Sequence, residues 1–179
     1  MGVSNEELCV RDPATGRNYQ WLAVDRPSDL GGALEMVTPA EVVLVWWQEQ
    51  WWRDTAEVIS FIDEYARVLD MRCLQWALFA GPGSELVHDV LDETIVGDGD
   101  DPFECEAMTT WHELGRGLDV DDKENEQELS YFFTRNTGES PLGLGQAAVI
   151  RVGPPVASEQ SVKQWLVDPE AFAADYLSE

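Results

Sequence analysis

Apolar and polar positions along this chain switch repeatedly between the period of a strand and the period of a helix. Residues 41–47, Glu-Val-Val-Leu-Val-Trp-Trp, are an almost unbroken β-branched and aromatic run, the pattern of a strand covered on both faces. From Asp54 the period becomes helical, with Val58, Phe61, Ile62, Tyr65 and Leu69 on one stripe. Asp54 followed by Glu57 is a capping-box start. Residues 73–80 form a second apolar strand, stopped by Gly81-Pro82-Gly83. Ser84 then caps a helix to about Glu93 with Leu86, Val87, Val90 and Leu91 inward. A third strand is expected at 106–111. An acidic stretch, 119–128, leads into a helix carrying Leu129, Phe132 and Phe133, and a fourth strand at 146–152 ends at Gly153-Pro154. Ser158 and Asp168 open two short C-terminal helices, Pro169 taking the first helical position of the second. The first forty residues read as irregular, with one strand at 19–24 and a loop at 27–32 signalled by Pro27 and the Gly31-Gly32 pair.

Strand–helix alternation repeated in this way predicts an α/β, three-layer domain: a mostly parallel four- or five-stranded sheet with helices on both faces. The 179 residues suit a single domain, with an irregular segment at 1–40, a core at 41–152 and C-terminal helices at 153–179. Right-handed crossovers bring the carboxyl ends of parallel strands to one rim, outside which the functional crevice of such sheets lies. That rim would gather Trp46, Trp47, Gln48 and Glu49, then residues 80–84, then Trp111, His112 and Glu113.

The order of these pieces has a further likeness. An apolar strand ends in a Gly-Pro turn and is followed by an acidic helix with a histidine near its start. Then come Met108-Thr-Thr-Trp-His-Glu113, Glu128-Leu-Ser-Tyr-Phe-Phe133 and a last apolar strand. This resembles a bacterial family of small acidic, Trp-rich domains of unknown function with a Thr-Thr-Trp-His-Glu signature, over about residues 40–152. The chain departs from it at Ala80, where an extra Trp is usual, and in a longer acidic insert between Gly115 and Glu128. The resemblance implies the fold and no activity.

Charge narrows the function classes. The chain carries 35 Asp and Glu against 11 Lys and Arg, a net charge of −24. Such a body repels phosphate and anionic lipid, so neither nucleic acid nor a membrane is an expected direct partner. The charge is concentrated: residues 73–128 hold 16 acids and two bases, net −14, against −7 for residues 1–72 and −3 for 129–179. That asymmetry points to a local acidic face rather than a uniform habit. No apolar run approaches the length of a membrane span, the N-terminus lacks the pattern of a secretory signal, and three widely spaced cysteines make neither a disulfide framework nor a zinc site. A cytoplasmic protein with reduced thiols is expected.

The residues with chemistry to offer are few. Trp46, Trp47, Trp51 and Trp52 place four rings within seven residues, interrupted by Gln48, Glu49 and Gln50, and aromatic rings anchor protein interfaces. His112 beside Glu113 is a candidate general base, or a histidine that locks the strand end. His88 and Asp92 lie one helical turn apart and, with His112, would make a thin metal set; no metal or cofactor is expected. The loop around Asp98, Asp100 and Asp101 fails the calcium-loop pattern. Gly81-Pro-Gly-Ser84 has the position of a phosphate cradle without its Lys or its glycine spacing, and ten acids with no base surround it between Cys73 and Gly115. The expected function is therefore an acidic protein-binding module, an inhibitor or immunity protein that neutralises a basic partner such as a nuclease toxin. Its contact residues would be Trp46, Trp47, Glu49, Trp51, Trp52, Asp98, Asp100, Asp101, Trp111, His112, Glu113, Asp121 and Asp122. The alternatives are a nucleic-acid-mimic inhibitor and a small hydrolase-like enzyme using His112 and Glu113.

Overall fold

The computed structural model describes residues 3–11, 16–69, 72–96, 107–113, 129, 133 and 145–154. Their elements run β1 (Val3–Arg11), β2 (Asn18–Val24), a 3-10 turn (Pro27–Asp29), α1 (Leu30–Val37), β3 (Val42–Trp47), α2 (Thr55–Val68), β4 (Trp76–Ala80), α3 (Ser84–Val96), β5 (Met108–His112) and β6 (Gln146–Val152). The six strands form one sheet in the order β1-β2-β6-β3-β4-β5. β2, β6, β3, β4 and β5 are mutually parallel, and β1 adds an antiparallel edge beside β2. The expected α/β architecture is present, its parallel strands numbering five.

The first forty residues are more regular than their sequence suggests. They supply β1, β2 and a whole helix, because Leu30, Ala33, Leu34 and Val37 bury one stripe against the sheet. Gly31 and Gly32 sit inside that helix rather than in a loop; a Cβ at Gly31 would lie 2.8 Å from the Glu64 carboxylate of α2. Close helix packing outweighs the low helix propensity of glycine here. At α2 the expected start is found, with Asp54 accepting a hydrogen bond from the Glu57 amide at 3.1 Å. Ser84, by contrast, is the first residue of α3 and fully buried, so it does not act as an exposed cap.

The pleat divides the core. Val43, Val45 and Trp47 of β3 face α1, α2 and α3, whereas Val42, Leu44 and Trp46 face the opposite side. On that side the helical residues Leu129 and Phe133 cover the sheet, Phe133 meeting Tyr19 edge-on at 5.4 Å. Handedness explains the split. The connections from β2 to β3, β3 to β4 and β4 to β5 all step in one direction, so right-handed crossovers put their helices on one face. The return from β5 to β6 steps backwards, into the slot between β2 and β3, and its two described residues, Leu129 and Phe133, lie on the other face, as the same hand requires. The direction therefore reverses at the ends of β4 and β5, which makes the junction between them the topological switch point.

The turn from β4 to α3 is built around Trp47. Gly81 has φ +140°, and a Cβ there would lie 2.5 Å from the Trp47 ring and carbonyl oxygen. The Trp47 indole Nε1 donates to the Pro82 carbonyl at 3.1 Å. Replacing Gly81 by Ala combines backbone strain with overpacking and is expected to destabilise the fold by about 2–4 kcal/mol in urea denaturation. A loss below about 0.5 kcal/mol, within the range of a neutral surface change, would show that the turn relaxes away from the ring.

Candidate functional site

The four clustered tryptophans belong to the interior. Trp46, Trp47 and Trp52 are 1%, 0% and 5% exposed. Trp46 lies on the opposite face of the sheet from Trp47, packed 6.3 Å from Trp21. Trp47, Trp51 and Trp52 meet edge to face at 4.9–6.3 Å, and Trp51 continues the stack to Phe61 at 5.2 Å. The expectation that rings 46, 47 and 52 meet a partner directly is thus corrected. The turn at Gln48–Gln50 folds the chain back so that Trp51 and Trp52 pack on Trp47, while Glu49 stays exposed and Trp51 half-buried. Removing a buried Trp costs about 3–5 kcal/mol, a large part of the usual 5–15 kcal/mol net stability, so these rings act through the fold.

At the switch point the Glu113 carboxylate turns back to α3. Both its oxygens accept from the Gly83 amide, at 3.0 and 3.1 Å, and the Gly81 amide donates to the His112 carbonyl at 3.0 Å. The cradle-like turn is filled by the chain's own carboxylate, placed at a helix N-terminus where negative charge is favoured. Register puts Met108, Thr110 and His112 beside Trp76, Leu78 and Ala80, and Thr109 and Trp111 beside Ala77 and Phe79. His112 therefore points to the face opposite the helices, away from His88 of α3. The set of His88, Asp92 and His112 does not assemble, and among the described residues no group of three metal-ligating side chains is found.

Another cluster forms on the helix side of β5. Trp111, 42% exposed, stacks on the His88 ring with centroids 4.5 Å apart and a 47° tilt. The His88 nitrogens meet Asp89 Oδ1 at 3.1 Å and Asp92 Oδ2 at 3.4 Å, and the Thr109 hydroxyl donates to Asp92 Oδ1. Outward from this cluster, Glu85, Asp89 and Glu93 are exposed at successive i, i+4 positions of α3. Neither α3 nor β5 contains a Lys or Arg. Sequence reading singled out Trp111 and paired His88 with Asp92, but missed that strand parity puts Trp111 against that helix. The regular spacing of Glu85, Asp89 and Glu93 was the available signal. Asp98, Asp100, Asp101, Asp121 and Asp122 lie outside the described residues.

α2 treats its acids differently. Arg53 pairs with Glu57, and Arg67 pairs with Glu64 at 2.6 Å. Hydrogen bonds and charge from the two guanidinium groups hold both carboxyls below the ordinary carboxylate value. The sign follows: this stabilisation is present above the unfolded-state carboxylate pKa and is lost as pH falls through the lowered values.

No family model matches the chain, and no curated protein or solved structure matches it. Among the described residues, no helix is long and apolar enough to cross a membrane. The site must be read from its own residues.

Two measurements check this geometry. Glu113→Ala should lower stability by about 1–2 kcal/mol, with Glu113→Gln retaining part of it, and should shift the Gly83 amide resonance. An unmoved Gly83 resonance would remove the contact. Arg53→Ala should raise the pH at which the Glu57 carboxyl titrates by NMR; an unchanged titration would mean the ion pair does not persist in solution.

Proposed function

We propose that this chain is an acidic protein-binding module that neutralises a basic protein, as an inhibitor or immunity protein does, and that it docks through the outer face of α3 and the edge of β5. One observation carries the reading: Trp111 is exposed on the strand next to α3, whose exposed Glu85, Asp89 and Glu93 have no Lys or Arg partner among the described residues, whereas α2 has Glu57 and Glu64 paired with arginine. Aromatic area supplies affinity and charge supplies steering and selection. Glu49, Trp51, His112, Glu113 and the acids at 98, 100, 101, 121 and 122 are proposed as further contacts of the same partner. Basic nucleases are a fitting partner class, since their phosphate-binding surfaces present concentrated positive charge.

A second reading, nucleic-acid mimicry, is favoured by the regular one-turn spacing of Glu85, Asp89 and Glu93. In that case duplex DNA competes with the chain for the partner's nucleic-acid site.

The test is titration calorimetry and stopped-flow association against a defined basic protein, beginning with the product of an adjacent toxin-like reading frame. Association should slow by at least about tenfold between low and physiological salt. The combined Glu85→Gln, Asp89→Asn, Glu93→Gln variant should remove most of that salt dependence. Binding indifferent to both salt and this variant would sink the proposal.

A further inference from the structure

We infer that the docking face recognises arginine: Trp111 and the α3 carboxylates form a seat for a guanidinium group of the basic partner. This rests on the docking surface proposed above and adds the chemistry of what fills it.

The chain's own His88 displays the mode of binding. Its imidazole is planar, carries nitrogens at its edge, lies against the Trp111 ring and directs those nitrogens at two carboxylates, Asp89 and Asp92. A guanidinium is the same kind of group, flat and weakly hydrated with N–H donors around its rim. His88 takes one side of the indole, yet Trp111 stays 42% exposed, which leaves ring surface for a second flat group. Asp92 is committed within the fold, one oxygen to the Thr109 hydroxyl and the other to His88. Asp89 is committed through one oxygen only, to His88: its side chain is 60% exposed, its second oxygen has no partner among the described residues, and Glu85 and Glu93 flank it one turn away on either side. The inferred guanidinium lies on the remaining surface of Trp111 and takes its carboxylate partners from this row of α3, of which Asp89 already meets the ring-stacked His88. A lysine ammonium, a compact and strongly hydrated point charge, uses the carboxylates but gains less from the ring.

The probes are oligo-arginine and oligo-lysine peptides of equal length, titrated calorimetrically into the full chain at low salt. Wild type should bind oligo-arginine tighter by roughly two- to fivefold, the range of an exposed cation–π contact. Trp111→Leu should abolish the preference while still binding both peptides, and Trp111→Phe should retain part of it. Should the Leu variant fail to fold by circular dichroism, the reduced ratio is read on the Phe variant alone. Equal wild-type affinity for the two peptides overturns the arginine seat and leaves the basic-partner reading standing. Failure to bind either peptide removes the basic-partner reading, and the seat with it. A preference undiminished in either Trp111 variant also overturns the seat.

Discussion

The contact between the Trp47 ring and the Gly81-Pro82-Gly83 turn is the constraint on which the site depends. It joins the end of β3 to the start of α3 through a 3.1 Å hydrogen bond and a surface that only glycine leaves open. Trp52 closes the same turn from the other side: a Cβ on Gly83, whose φ is +73°, would lie 2.8 Å from its ring. With the turn fixed, the Gly83 amide is aimed at the Glu113 carboxylate, and the end of β5 is tied to the helix that precedes it. The tryptophans that first suggest a binding surface thus bear on the proposed one only through the fold. They set where α3 begins, and so which of its residues stand beside Trp111.

Most of the sheet could be read from periodicity because its strands are covered on both faces. Such strands appear as continuous apolar runs, and β3 and β6 fall almost where the runs do. β5 is weaker in pattern: it is the last strand of the sheet, and its residues are exposed or half-buried with no regular alternation. α1 is hidden in the sequence because two glycines sit in an eight-residue helix, one of them facing the Glu64 side chain of α2. Strand order was not legible at all. It depends on which slot β6 enters, and only the crossover rule applied to the folded chain explains why Leu129 and Phe133 cover the far face. The same parity that hid Trp46 and Trp47 on opposite faces placed His88 and His112 on opposite sides.

The two long helices treat charge in contrasting ways. α2 couples Glu57 and Glu64 to arginines at i−4 and i+3, which relieves local repulsion. α3 places Glu85, Asp89 and Glu93 in an uninterrupted row and carries no base in its last turn, where the helix dipole favours one. Each like-charged i, i+4 pair costs about 0.2–0.5 kcal/mol, small against a net stability of 5–15 kcal/mol. The row is therefore tolerable for the fold while remaining a locally unfavourable arrangement that an arginine from outside would relieve.

That arrangement also bears on the edge strand. Among the described residues β5 is the last strand of the sheet, and an edge strand with Met108 and Trp111 exposed is ordinarily a template for pairing with a second copy of the same chain. Here a second copy would bring its own α3 row and a net charge of −24 to the same contact, so approach of like to like is repelled over the range of the Debye length. A basic protein meets the reverse field. Under the proposed function the carboxylates of α3 act twice, against pairing of like with like along β5 and in favour of a basic partner. An apolar ring such as Trp111 can then remain exposed without becoming a site of aggregation.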